Sequence, residues 1–361
     1  MFKSFELEAL VEPLLKWYPL HARSLPWRED PTPYHVWVSE IMLQQTRVEA
    51  VKPFYARFME ALPDVAALAD CEMDRLLKLW EGLGYYNRVR NMQQAAQTIM
   101  QEYGGVIPAD YEELLKLKGI GHYTAAAIAS IAYGKREAAV DGNVLRILMR
   151  VTENDSDIAK QSVKNAVEAA LRQIVPEGRA GMFTQALMEL GATVCVPNGA
   201  PLCEACPWNA LCLSHKHGKE MELPVKSKAK ARKIEKKTVL VIRDGARVLL
   251  QKRPEKGLLA GMYEFPYLNG YVSEKAALDY VKEQGLAPLR IQKLPDAKHI
   301  FSHVEWQMKG YALLVEEPAD EQGYLFVEAA DSEKHYAIPA AYAAYSRYMK
   351  IRIGQEKFLQ D

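Results

Sequence analysis

The 361-residue sequence has no stretch of about 18 consecutive apolar residues, the length a membrane-spanning helix needs. It has no excess of either charge, with 46 basic against 46 acidic residues, so bulk composition points to no polyanionic partner. Its N-terminus, MFKSFELEALVEPLL, carries acids where the apolar core of a signal peptide would lie, so a soluble, cytoplasmic protein is expected. Cysteine is scarce too. Five in this length do not suggest a disulfide scaffold, yet four crowd between Cys195 and Cys212, which suggests a metal or cluster site in a reducing compartment. What the chain does have is apolar material, 49% of its residues, and a length that suits two or three domains.

From residue 5 to about 194, apolar residues recur three and four apart, as in ELEALVEPLLKW, MDRLLKLW, NMQQAAQTIM and AVEAALRQI, and nothing alternates like a strand. Residues 214–237, SHKHGKEMELPVKSKAKARKIEKK, break the pattern with nine Lys or Arg against three acids and almost no apolar face. An exposed basic linker over 216–237 is expected, a solvated spacer that also suits a phosphate backbone. Beyond it, KKTVLVIRDGARVLLQKR reads as two strands around an Asp244-Gly245 turn, and MKGYALLVEE as a later strand. The chain thus divides into a mostly α N-terminal domain over 1–215, the linker, and an α+β C-terminal domain over 238–361.

In the N-terminal domain, residues 34–47 read YHVWVSEIMLQQTR. Pro33 suits a first helical position, and Val36, Trp37, Val38, Ile41, Met42 and Leu43 cover almost every face of the helix with apolar groups. Glu40 stands among them. Desolvation there raises a carboxyl pKa and favours the protonated form a general acid needs, although a buried glutamate also serves as an ion-pair partner.

The segment LLKLKGIGHYTAAAIASIA, residues 114–132, reads as a short helix, a Gly119-Ile120-Gly121 hairpin and a second helix opening near His122. Its two glycines turn the backbone sharply and expose N–H groups to an anion such as a DNA phosphate. Further on, AAVDGNVLRILMR sets Asp141 just ahead of an amphipathic helix, where it can cap that helix or do chemistry. Cys195, Cys203, Cys206 and Cys212 then give C-x7-C-x2-C-x5-C, a metal-binding pattern that suits zinc or an iron–sulfur cluster. Cys71, in ALADCEMDRLL, has the spacing of a helix residue and is expected to be inert core.

GIGHYTAAAIASIA followed by VDGNVLRIL resembles the helix-hairpin-helix signature of the DNA glycosylase superfamily that includes endonuclease III. LPWRED, WVSEIMLQQT, GLGYYNRVRN and the four cysteines narrow the resemblance to the adenine DNA glycosylases of the MutY type, over residues 5–215 and more loosely to the C-terminus. That resemblance implies an enzyme of base-excision repair that flips adenine out of an A:8-oxoguanine or A:G mispair in double-stranded DNA and hydrolyses its glycosidic bond. Glu40 would protonate the base. Asp141 would stay ionised beside the oxocarbenium-like sugar, with Tyr123 supporting it and Asn143 placing the aspartate or a water. Tyr123 stands where lyase relatives carry a Schiff-base lysine, which implies a monofunctional enzyme.

Trp27, Arg28 and Gln185 would line the adenine pocket, Leu43, Gln45 and Tyr85 would wedge the duplex, and Gly119 and Gly121 would meet its backbone. The resemblance favours a 4Fe-4S cluster on the four cysteines, although the first spacing is one residue longer than the family's usual C-x6-C. The C-terminal domain resembles a Nudix fold in its hairpin and in KGLLAGMYEFP, without the closely spaced glutamates that bind magnesium, so it is expected to bind rather than hydrolyse. HIFSHVEW, residues 299–306, matches the loop that touches 8-oxoguanine, with Phe301 as a wedge and Ser302 and His303 as hydrogen-bonding groups. A monomer is expected.

Overall fold

The structure, a computed structural model, describes residue 2 and residues 5–227, 231–318 and 323–353. The chain forms two compact units, Met1–Asp70 with Asn91–Ala229, and Cys71–Arg90 with Lys230–Asp361.

The first unit contains no strand among its described residues, as its periodicity requires. Its principal core gathers the apolar stripes of Val11–His21, Gly142–Val151, Gln161–Ile174 and Ala180–Thr193, and Trp208 closes that core from the cysteine loop. A second group of helices packs beside it, and the two groups together line the cleft described below. Pro33–Leu43 starts on Pro33, capped by Thr32, whose Oγ1 accepts from the His35 N–H at 3.2 Å. The hairpin helices run Tyr111–Lys116 and His122–Ala127, and the second continues as a π-helical turn over Ile128–Ala132. Gly119 lies at φ 80°, and a Cβ there would meet Asn91 Cβ at 2.6 Å, so both the turn and the close approach require glycine.

The second unit is a seven-stranded sheet: β1 (Lys233–Arg243), β2 (Val248–Lys252), β3 (Tyr263–Glu264), β4 (Tyr267–Asn269), β5 (Pro288–Ile300), β6 (Val304–Val315) and β7 (Leu325–Val327). The main order is β3-β2-β1-β6-β5, with β4 beside β1 and β7 beside β2. β1 and β6 are parallel and all other pairs antiparallel. Gly245 lies at φ 91° in the expected β1–β2 turn. One face packs Val239, Val241, Phe265, Trp306 and Tyr342, and the other is covered by Ala277 and Val281 of the helix Glu274–Glu283.

Three expectations are corrected. The helical domain is interrupted: Cys71–Arg90 clusters with the sheet, where Lys78 Nζ donates to Ser332 O (2.9 Å) and Tyr336 O (2.6 Å) and the Ile338 N–H donates to Glu81 Oε1 (2.8 Å). Its helix Met73–Leu79 has the same period as its neighbours, so periodicity gave no sign of the change of partner. The basic linker is also shorter than 216–237. Leu223 is buried and accepts from Arg150 Nε at 2.9 Å, Val225 O accepts from the Ile158 N–H at 3.0 Å, and β1 already begins at Lys233. Residues 228–230 of that stretch lie outside the described residues. Cys71 is not core, since the preceding helix ends at Asp70 and leaves the thiol half-buried in the turn.

Candidate active site and cysteine loop

Glu40, Tyr123, Asp141 and Asn143 line one cleft of about 480 Å³ in the first unit. Glu40 is 6% exposed on the helix Pro33–Leu43, whose residues from Val36 to Met42 are all buried. Burial pushes its carboxyl up to about 7; the hydrogen bond from Tyr123 opposes this, the charge of Asp141 adds to it and Arg28 lowers it. The group therefore exchanges its proton near neutral pH. Asp141 caps the helix Gly142–Val151, accepting from the Val144 N–H on Oδ1 and from Asn143 Nδ2 on Oδ2, both at 2.8 Å. Burial outweighs these bonds and leaves its pKa above the ordinary value; the two carboxyls differ in their partners, a phenol for Glu40 and backbone and amide N–H groups for Asp141.

Tyr123 opens the second hairpin helix and donates to Glu40 Oε2. The expected support of Asp141 by Tyr123 is thereby corrected, because the phenol's donor goes to the glutamate and the aspartate is held by Asn143 and its own helix start. Burial, then the two carboxylates, hold the phenol well above its ordinary pKa, so it remains a neutral donor.

Trp27, Arg28 and Gln185 line the same cleft, as do Leu43 and Gln45. Trp27 is buried edge-on against Tyr55, ring centres 5.2 Å apart, and Gln185 Oε1 accepts from Tyr18 OH at 3.2 Å. Arg28 is fixed by Glu189, which is fully buried and also takes Arg23 Nε at 2.6 Å. Burial pushes the Glu189 carboxyl up, but the two arginines outweigh it and its pKa lies below the ordinary value. Arg23 and Glu189 were missed in the sequence; the one signal was a lone acid in the apolar helix stretch FTQALMELG.

Gln45 is exposed just beyond its helix at φ 59°, and Tyr85, in the second unit, is 48% exposed at φ 49°. Such a backbone costs a non-glycine residue of order 1 kcal/mol. In the second unit Phe301, Ser302 and His303 make the turn between β5 and β6, closed by the Phe301 N–H donating to Val304 O at 2.8 Å. Ser302 Oγ and Tyr85 OH are 3.1 Å apart. Phe301 departs from the expected wedge: its ring folds back on His299 (4.6 Å) and Trp306 (4.9 Å), leaving Ser302 and His303 as the exposed side chains of the turn.

The four cysteines are unpaired thiols lining one pocket with Arg150, His215 and Glu220. Burial first, then neighbouring charges that include the other thiolates, pushes Cys203 up to about 11 and Cys206 up to about 12. Four free thiols around one pocket fit a cationic centre, which would stabilise their thiolates together. Cys203, His215 and Glu220 also offer ligand atoms within 4.8 Å of one another. Arg146 ties this loop to the cleft, donating through Nε to Cys195 O (2.9 Å) and through Nη2 to Asn143 Oδ1 (2.8 Å).

Residues 38–175 match the family described as HhH-GPD superfamily base excision DNA repair protein, and residues 238–347 match the NUDIX domain. Fold and site together define a helix-hairpin-helix DNA glycosylase of base-excision repair with a Nudix-like domain following it. The chain is 35% identical to an adenine DNA glycosylase of Mus musculus over 370 residues, which span 86% of this chain and 72% of that protein. It is 32% identical to that of Buchnera aphidicola subsp. Baizongia pistaciae (81% and 82% covered) and 30% identical to that of Schizosaccharomyces pombe (92% and 87%). The chain belongs to the adenine DNA glycosylase family. Among solved structures, a thermostable thymine-DNA glycosylase is similar at a TM-score of 0.53 and 28% identity, covering 58% of this chain and 96% of that one. A non-covalent endonuclease III–DNA complex is similar at 0.50 and 25%, covering 59% and 96%. Among the described residues no helix is long and apolar enough to cross a membrane.

Proposed function

We propose that the chain binds double-stranded DNA, flips adenine out of a mispair with 8-oxoguanine or guanine, and cleaves its N-glycosidic bond by hydrolysis alone. The observation that carries this reading is the pairing, in one cleft, of a buried carboxyl whose pKa is near 7 with a second carboxyl held by hydrogen bonds. Glu40 gives its proton to the adenine ring as the bond to C1′ breaks and its electron pair leaves with the base. Asp141 carries the negative charge facing the cationic sugar. Water then bonds to C1′ and returns a proton to Glu40, restoring the enzyme. Tyr123 supports a monofunctional reaction, because a neutral phenol cannot form a Schiff base with the sugar.

In this reading Trp27, Arg28 and Gln185 hold the flipped adenine, and Arg28 is fixed for that work by Glu189. Gln45 and Leu43, at the end of the Glu40 helix, fill the space the base leaves, and Tyr85 is a second filling group. The glycine turn at Gly119 and Gly121 presents N–H groups to a phosphate. Ser302 and His303 read 8-oxoguanine, and Phe301 anchors the turn that presents them. Cys195, Cys203, Cys206 and Cys212 hold a 4Fe-4S cluster, whose part is to fix the loop around it rather than to react.

The test is a single-turnover incubation with an A:8-oxoguanine duplex. Strand scission only after alkali, with no adduct trapped by borohydride, is the expected result. Scission without alkali would overturn the hydrolytic assignment, and an intact duplex would overturn the substrate.

A further inference from the structure

Tyr85 lies at φ 49° and follows Gly84 at φ 71°, so two successive residues take the left-handed backbone that only glycine adopts without cost. A tyrosine with half its surface exposed keeps such a conformation only where its surroundings fix it. Arg88 supplies that hold. Its Nη2 donates to Leu83 O at 3.0 Å and to Gly84 O at 3.1 Å, and its main-chain N–H donates to Tyr85 O at 2.8 Å. Three successive carbonyls thus accept from one residue. The peptide planes on either side of the Tyr85 Cα carry Gly84 O and Tyr85 O, so both planes are tied to Arg88 and the φ and ψ between them are set. Trp80 Nε1 adds a second bond to Gly84 O at 3.1 Å. The guanidinium also lies against two rings, its Cζ 5.3 Å from the centre of Trp80 and 5.5 Å from that of Tyr85. Burial lowers its pKa to about 10, which leaves it cationic at neutral pH.

We infer that Arg88 is a positioning residue that holds Tyr85 outward, so that its phenol is in place before DNA arrives. The inference rests on the reading of Tyr85 as a filling group, and Arg88 acts through that ring rather than on the DNA. Pre-ordering matters because a side chain that is in place only part of the time weakens binding by that fraction. Ser302 Oγ, 3.1 Å from Tyr85 OH, meets the far end of the ring, so the side chain is held at its tip as well as at its root. Lysine cannot replace the arginine. A guanidinium offers one nitrogen to two carbonyls while its plane stacks on aromatic rings, whereas an ammonium is a compact point charge without a face.

The test uses the full chain with Arg88→Lys, Tyr85→Ala and the double variant. Hydrogen exchange of the amides over residues 80–88 reads the hold itself, without DNA, and exchange about tenfold faster in Arg88→Lys than in the wild type is expected. Single-turnover rates on an A:8-oxoguanine duplex at limiting enzyme read the consequence. Tyr85→Ala is expected to lose about tenfold or more, Arg88→Lys a part of that loss, and the double variant no more than Tyr85→Ala alone, because nothing is left to position. An arginine with a merely structural role would instead add its own loss to that of Tyr85→Ala. Unchanged exchange in Arg88→Lys, or additive losses in the double variant, would overturn the inference. A wild-type rate in Tyr85→Ala beside faster exchange in Arg88→Lys would overturn the filling role of Tyr85, and with it any part of Arg88 in the reaction, while the hold on the backbone stands. If thermal melts show Arg88→Lys to be unfolded, Arg88→Gln, a neutral amide of shorter reach, takes its place in both measurements with the same outcomes.

Discussion

The phenol of Tyr123 donates to Glu40, while Asp141 takes its hydrogen bonds from Val144 and Asn143. This division gives each carboxyl its own control. The Tyr123 bond stabilises ionised Glu40 and so lowers its pKa against the larger effect of burial.

Removing that bond must therefore raise the Glu40 pKa further. Tyr123→Phe is expected to shift the alkaline fall of the single-turnover rate to higher pH than in the wild type, because Glu40 stays protonated for longer. A pH–rate profile of both proteins measures this. A shift to lower pH would show that the phenol favours the protonated acid instead.

Glu40 also carries a stability cost. Its folded pKa, about 7, lies above that of an unfolded glutamate, so its contribution is fully present below the unfolded value and is lost as pH rises through about 7. Glu40→Gln is expected to abolish base release while raising stability, by ~3 kcal/mol at pH 8 and only ~1 kcal/mol at pH 5. Denaturant unfolding at the two pH values checks the difference. Equal effects at both would mean Glu40 does not titrate in this range.

How much of this was legible in the sequence depended on how local the signal was. Glu40 stood out because six residues around it, Val36, Trp37, Val38, Ile41, Met42 and Leu43, are apolar, and Asp141 because helix starts have a local signature. The pairing of Arg23 and Arg28 with Glu189 was not legible, since it joins residues more than 160 positions apart that carry no shared pattern. Nor was the membership of Cys71–Arg90 in the sheet unit, because a helix shows its apolar face to any partner alike. The charge run was misread for a different reason. Leu223 and Val225 anchor one end, and the lysines at the other end already belong to a strand. A chain cut near residue 216 would remove the acceptor of Arg150 Nε, one of its three partners, so it is a poor probe of the second unit.

Gly191 tests the link from the cleft to the cysteine loop. A Cβ there would come within 2.6 Å of Asn143 Cβ, and Gly191 O accepts from Arg146 Nη2 at 2.6 Å. Gly191→Ala is expected to displace Asn143 and slow base release about tenfold or more, for a stability loss of ~1–3 kcal/mol. Single-turnover rates with a thermal melt separate the two. An unchanged rate would mean Asn143 does not position Asp141 for the reaction.

The cysteines make a prediction independent of catalysis. Purified protein is expected to be brown and to carry roughly four irons per chain, the content of a 4Fe-4S cluster. Cys206→Ser should lose most of that iron and expose residues 195–227 to protease, since Arg150 holds both Cys195 Sγ at 3.3 Å and Leu223 O at 2.9 Å. Colourless wild-type protein containing zinc would replace the cluster with the competing metal.

The last prediction concerns the reading of 8-oxoguanine. Ser302 is exposed at the β5–β6 turn and its hydroxyl is 3.1 Å from Tyr85 OH, so it is held in place without being buried. A group held this way can discriminate one base from another, at ~1–3 kcal/mol for a good pair of contacts. Ser302→Ala with His303→Ala should therefore lower the rate on an A:8-oxoguanine duplex at limiting enzyme by about tenfold or more, and lower the rate on an A:G duplex by less. Phe301→Ala should act differently, because its ring packs on Trp306 and its loss loosens the turn as a whole. That variant should lose thermal stability as well as preference. The competing account holds that residues 238–361 add only affinity for phosphates, and it requires equal losses on both duplexes that low salt restores. Rates on both duplexes at two salt concentrations decide between them, and equal, salt-restored losses would remove Ser302 and His303 from the reading of the lesion.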